Sequence, residues 1–214
     1  MYPRVSIDLE HLRENVKTVK GLCDQHGIQI TGVTKVYCGD PKIAKAYLDG
    51  GLTMLGDSRV SNLKRLNNLP AEKWLIRPPM RSEAEDTARY ADAALHSEWE
   101  VIRAVADAAH HQGRRHKVIL MADLGDIREG YVDYDELLDV AARVEKLPGA
   151  ELYGVGVNLT CFSFIQSDSE KLGLLADLAR RAGEAAGHPL SIVSGGNSAT
   201  IDLMLRNGIP QGVN

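Results

Sequence analysis

Seven short apolar runs punctuate this chain, and between them lie segments whose apolar residues recur at helical spacing. The runs are IQITGV, LTMLG, KWLIR, DAALH, KVILMA, LYGVGV and LSIV. Helical patterns lie in PKIAKAYLDGG, EAEDTARYA, EWEVIRAVADAAHHQG, YDELLDVAARVEKL and EKLGLLADLARRAGEAAG. A leading helix is predicted over residues 9–25. Asp8 is its N-cap, Leu9, Leu12, Val16, Val19 and Leu22 form its apolar stripe, and Gly27 closes it. Strand followed by helix, repeated, predicts an α/β fold with a parallel sheet covered by helices.

Two closures accommodate that alternation, an open doubly wound sheet and a TIM (β/α)8-type barrel. Polar residues at the ends of the runs favour the barrel. Lys35 follows the first run, Gly56-Asp57-Ser58 the second, Arg77 the third and His96-Ser97 the fourth. Asp123 to Arg128, Asn158 to Cys161 and Ser194 to Ser198 follow the last three. A barrel brings all of these ends to one site, whereas an open sheet uses mainly those beside its switch point. After a helix starting near Ser198 the sequence stops at Gln211-Gly212-Val213-Asn214, where an eighth strand should begin. A barrel missing a stave has two unpaired edges, which natural folds avoid. Residues 1–214 are therefore read as one barrel domain lacking its eighth strand: either a fragment of a longer chain, or a barrel whose gap something else fills.

With 214 residues, 44% hydrophobic and 25% charged, the chain can bury a substantial core, and disordered and fibrous classes are excluded. A formal charge of −4 gives no sign of a nucleic-acid partner. The densest basic cluster, Arg114-Arg115-His116-Lys117, is read as a solvated helix-to-strand connection. Cys23, Cys38 and Cys161 are odd in number and widely spaced, which predicts neither disulfides nor a zinc site. The opening MYPRVSIDLEHL has no apolar h-region, and no stretch approaches the roughly 18 apolar residues of a membrane span. A cytoplasmic protein without membrane contact is expected.

Two segments carry chemistry. In SGGNS, residues 194–198, adjacent glycines let backbone approach a ligand, and amides at a helix N-terminus favour a phosphate. A plain Gly-rich turn with Ser198 as N-cap accounts equally for the segment taken alone. In TGVTKVYCGD, Lys35 ends an apolar run, where a lysine stem ordinarily lies along the core and the charge reaches water. Taken together, a strand-end lysine and a phosphate seat suit Schiff-base chemistry with a phosphorylated carbonyl compound, the amine being activated by burial or by a cation such as Arg128. Pyridoxal 5′-phosphate fits, and so does a sugar phosphate handled by a lysine aldolase.

Six segments in order, SIDLEHLRENV, TGVTKVYCGD, GDSRVSNLKRL, LGDIREG, GVNLTC and SGGNS, cover nearly the whole chain. In them the sequence resembles the N-terminal barrel of fold-type III pyridoxal-phosphate enzymes of the alanine racemase superfamily, most closely the ornithine racemase-like branch. The resemblance implies that Lys35 is the Schiff-base lysine and the base at one face of the substrate α-carbon. It implies that Ser194, Gly195, Gly196, Asn197 and Ser198 hold the phosphate and that Arg128 approaches the phenolic oxygen. Asn158 stands where alanine racemases carry a histidine against the ring.

The resemblance also implies a pyridoxal-phosphate-dependent amino-acid racemase with a small-molecule amino-acid substrate, working through an α-carbanion as a homodimer. In the family, an Arg-x-Gly segment on the eighth strand and a partner-subunit tyrosine complete the site, so an incomplete or inactive site is expected of this chain. Cys161 is the candidate second base, against a reading as a small buried apolar residue. Tyr37, Cys38 and His96 have packing readings, and Asp57 or Asp126 either recognises a substrate ammonium or caps a helix. One rival is a protein that holds pyridoxal phosphate for homeostasis without turnover. The other is the sugar-phosphate aldolase.

Overall fold

The computed structural model describes residues 3–214; Met1 and Tyr2 of the opening run lie outside the described residues. Seven strands pair in parallel and in chain order. They are β1 (Gly32–Val33), β2 (Met54–Asp57), β3 (Glu72–Leu75), β4 (Ala93–His96), β5 (His116–Met121), β6 (Ala150–Gly156) and β7 (Ile192–Ser194). Helices α1 (Leu9–Gln25), α2 (Pro41–Asp49), α3 (Val60–Arg65) and α4 (Ala84–Tyr90) accompany the first half. Helices α5 (Trp99–His111), α6 (Tyr134–Val144), α7 (Ser169–Ala186) and α8 (Ile201–Leu205) accompany the second. The sheet curls into a barrel that stays open between β1 and β7, as the expected absence of an eighth strand requires.

Alternation along the strands builds two apolar layers. Met54, Trp74, Ala93, Leu95, Ile119, Met121 and Ile192 pack inside the curl. Val118, Leu120, Leu152, Val155 and Val193 face the other way, onto α6 and α7 through Leu137, Val140, Leu172, Leu175 and Leu178. Carboxylates start the main helices. Asp8, Asp40, Asp133 and Asp168 each accept backbone N–H groups of the first turn, satisfying donors that a helix leaves without partners. Gly27 follows the α1 cap with φ 68°, as the sequence indicates.

Three local expectations are corrected. The run IQITGV is a strand only at Gly32–Val33, because β1 is an edge with β2 as its single neighbour. The α3 helix in GDSRVSNLKRL was not expected: its six residues are too short to display a helical period, and Arg59 gives no side-chain cap. The basic cluster is not simply solvated. His116 is buried as the first residue of β5, Arg114 donates to the Arg89 carbonyl and to Asp92, and Arg115 donates to the Ala150 carbonyl. Lys117 pairs with Glu72 at 3.0 Å and lies 4.2 Å from the centre of the Tyr153 ring.

His96 and His116 are 1% and 2% exposed, and their Nε2 atoms approach to 3.3 Å. Burial lowers the His96 pKa well below its ordinary 6.5, and the neighbouring His116 reinforces the shift. Burial likewise lowers His116 to about 4, with Arg114 adding to the effect. The unfolded chain binds protons at these rings below about pH 6.5 while the folded one does not, so stability falls as pH drops from there towards 4. The loss for His116 alone is on the order of 3 kcal/mol. Urea titrations at pH 7.5, 6 and 4.5 should show that decline, and His96→Leu combined with His116→Leu should flatten it. An unchanged slope against pH in the double variant would refute this origin.

Candidate active site

Lys35 opens a single 3-10 turn, Lys35–Tyr37, immediately beyond β1, and the chain reverses through Cys38 at φ 53°. The turn is anchored from below. The Thr34 N–H donates to the Gly56 carbonyl at 2.8 Å, and Thr34 Oγ1 donates to Asp57 Oδ2 at 2.6 Å. Asp57, at the end of β2, is fully buried and also accepts from the Arg59 N–H at 3.0 Å and Asn62 Nδ2 at 2.9 Å. Its oxygens are therefore spent on holding the lysine turn and the start of α3. Arg65 closes the far side by donating to the Cys38 carbonyl at 2.6 Å.

At the end of β7 the chain turns through Gly195 and Gly196. A Cβ on Gly195 would stand 2.7 Å from Val213 Cγ1, and Gly196 has φ +118°. Asn197 Oδ1 accepts the Ala199 N–H at 2.9 Å and so caps the short turn Ser198–Thr200. The backbone N–H groups of Gly195, Gly196, Asn197 and Ser198 donate to no protein acceptor among the described residues. Successive free amides at a turn form a concavity suited to an anion. Thr200 Oγ1 lies 3.2 Å from the Gly195 carbonyl and 3.0 Å from Ser167 Oγ, bracing the loop.

Two loops complete the rim. After β5, Arg128 Nε donates to Glu129 at 3.0 Å, and Glu129 also accepts from Asn158 Nδ2 beyond β6. Asp126 is buried and accepts from the Phe162 N–H, the Ser163 N–H and Ser163 Oγ at 3.2, 3.1 and 2.6 Å. Burial opposes its ionisation, but those donors outweigh it and hold the carboxyl below the usual range. Asp126 and Asp57 are thus buried loop anchors, and neither lines the cavity around Lys35.

Lys35, Arg128, Asn158, Cys161 and Ser194 to Ser198 line one cavity of about 350 Å³, within the range of small-molecule sites. Every residue that the sequence singled out for cofactor or catalysis is at that cavity. Cys161 is exposed rather than buried, with Sγ 3.9 Å from Asn197 Nδ2. His96 is not at the site. Ala93 and Leu95 point into the barrel, so His96, by alternation, faces the helices. Tyr37 has a buried hydroxyl, and burial, with Tyr47 beside it, pushes its pKa well up, so it stays protonated. Sequence reasoning missed Glu129, which joins Arg128 to Asn158 behind the cavity, as well as Thr200 and the wall formed by Trp74, Ile76 and Leu95. The wall was available from the alternation in KWLIR and DAALH; the other two carry no signal short of their contacts.

An amine, a guanidinium, an amide and an array of free N–H groups around one cavity suit a phosphorylated carbonyl compound. Comparison with known proteins agrees. A family model described as "Alanine racemase, N-terminal domain" matches residues 7–208. The chain is 38% identical over 213 residues to ornithine racemase of Acetoanaerobium sticklandii and 33% identical over 216 residues to lysine racemase of Thermotoga maritima. All of this chain is covered in both, and it spans 60% of the length of each relative. An alanine racemase structure from Clostridium difficile 630 superposes with TM-score 0.78 at 19% identity, covering 97% of this chain and 55% of that one.

Removing the Asp57 carboxylate leaves the Arg59 N–H and the buried Asn62 Nδ2 without an acceptor, and leaves the buried Thr34 Oγ1 with only the Gly56 carbonyl at 3.2 Å. Asp57→Ala should therefore cost about 2–4 kcal/mol, read as a lower urea midpoint with unchanged slope. A midpoint within experimental error of the unsubstituted protein would show that Asp57 does not anchor the turn.

Proposed function

The chain belongs to the alanine racemase N-terminal domain family, and from that premise we propose that it is the cofactor-holding barrel of a pyridoxal-phosphate-dependent amino-acid racemase. The observation that carries this is the meeting of Lys35 and the free amides of Gly195 to Ser198 in one cavity. The donor set fits the cofactor: a primary amine for its aldehyde, four N–H groups for its phosphate, and Arg128 and Asn158 for its polar ring substituents. When bound, pyridoxal phosphate supplies an aldehyde that condenses with amines and a conjugated ring that stabilises negative charge at the substrate α-carbon.

Racemisation needs a proton taken from one face of that carbon and returned to the other. Lys35 Nζ would hold the cofactor and would take or return the proton at one face. Cys161 Sγ is the group of this chain proposed for the opposite face, since it is exposed at the cavity and sulfur can carry a proton. The substrate proposed is an amino acid, ornithine first, on the strength of the ornithine and lysine racemases that this chain resembles. The same reading takes residues 1–214 as one domain of a longer two-domain protein working as a cytoplasmic homodimer. No described helix is long and apolar enough to cross a membrane.

The test begins with cofactor. Protein mixed with pyridoxal phosphate should develop the visible band of a lysine-bound cofactor, and borohydride reduction with peptide mapping should place the adduct on Lys35. Lys35→Ala should abolish both. Decay of optical rotation with L-ornithine then measures turnover. A Lys35 adduct without turnover of any amino acid would favour the homeostasis reading; no band, or an adduct scattered over surface lysines, would overturn the cofactor assignment.

The amide cradle makes a separate demand. An L-residue at Gly196 is strained at φ +118°, and its Cβ would meet Thr200 Oγ1 at 2.9 Å. Gly196→Ala should weaken cofactor binding about tenfold, read by fluorescence titration, in proportion to roughly 1–2 kcal/mol of backbone strain. Unchanged affinity would place the phosphate elsewhere.

A further inference from the structure

Glu129 is an acidic side chain directly behind two residues, Arg128 and Asn158, that line a cavity proposed to bind an anionic cofactor, without lining the cavity itself. That placement works against binding unless the carboxylate has another task. Its side chain is only 9% exposed, and its two partners, Arg128 Nε and Asn158 Nδ2, belong to the two polar residues of the β5 and β6 loops that line the cavity. A carboxylate accepts and cannot donate, so Asn158 must turn its amide nitrogen towards Glu129, leaving Oδ1 as the free acceptor. Arg128 likewise gives up its Nε–H and keeps the four N–H groups of its terminal nitrogens, with no other hydrogen-bond partner among the described residues.

We propose that Glu129 is a positioning residue that fixes the donor and acceptor pattern offered to the cofactor, by orienting Arg128 and Asn158 with a single carboxylate. The proposal rests on the cofactor reading of the cavity. Its consequence for specificity is definite. With Glu129 ionised, the Arg128–Glu129 pair is neutral, so Arg128 acts as a directed donor rather than as a net positive charge. Glu129→Gln removes that compensation and, because Gln can donate as well as accept, allows the Asn158 amide either orientation, while Glu129→Asp keeps the charge on a shorter stem.

Two readouts separate positioning from mere structure. In cofactor-free protein labelled with 15N, the Arg128 Nε–H signal should exchange slowly with water and should lose that protection in Glu129→Gln. With pyridoxal phosphate bound, Glu129→Gln should weaken affinity about tenfold and move the pH midpoint of the visible band downwards by about half a unit or more, because an uncompensated cation disfavours the protonated chromophore. Glu129→Asp should restore the midpoint. In an Arg128→Ala/Asn158→Ala background, Glu129→Gln should change affinity less than about twofold, as expected when one residue acts through the others. Equal losses in both backgrounds, or an Arg128 signal indifferent to Glu129→Gln, would overturn the proposal. If the Arg128 signal responds but the unsubstituted protein binds no cofactor, positioning stands and the proposed function fails.

Discussion

Parallel pairing is the constraint on which the rest of this molecule depends. Strands that run the same way must be joined by crossovers, so every C-terminal end emerges on the same rim. Seven strands in chain order therefore deliver seven loops to one end of the barrel. What those loops carry is free to vary because the apolar layers below, Ile119 and Met121 within and Leu120 and Val155 without, are satisfied independently of them. The separation explains how loops with so many polar residues are tolerated beside so continuous a core.

The rim loops are organised by carboxylates rather than by apolar packing. Asp57 ties the lysine turn to β2, Asp126 ties the loop after β5 to the loop after β6, and Glu129 joins Arg128 to Asn158. Each accepts at least two donors, which is how a buried carboxylate remains tolerable in a poorly solvated place. The acids of the rim thus set the geometry of the cavity and leave contact with the ligand to other groups.

This division shows why some of the site was legible in the sequence and some was not. Lys35, Arg128, Asn158 and SGGNS were found because strand-end position and residue chemistry coincide there, and the resemblance to a known family fixed their order. The parallel sheet was legible from alternation alone, and the barrel only from the polar residues at the strand ends. For Asp57 and Asp126 the sequence left a substrate-binding and a capping reading open, because burial and partners are properties of the folded rim: Asn62 and Ser163 lie 5 and 37 residues from the aspartates they bind. The α3 helix escaped notice for a different reason, since six residues do not complete two turns. Cys161 was weighed as a second base against a buried apolar reading, because cysteine usually packs; it is exposed, in a loop tied to Asp126 through the neighbouring Phe162 and Ser163.

The distribution of charge around the cavity points in the same direction. Arg128 is compensated by Glu129, and Lys35 makes no ion pair among the described residues. The seat proposed for the phosphate is built from neutral amides and a hydroxyl. An anion held by dipoles keeps its seat across a wide pH range, because nothing in that seat titrates near neutrality. The one side-chain cation lining the cavity without an ion-pair partner among the described residues is then Lys35, the residue proposed to move the substrate proton. On the proposed reading anchorage and proton transfer are separated, because a Gly-rich turn follows β7 and a lysine follows β1 on opposite sides of the barrel opening.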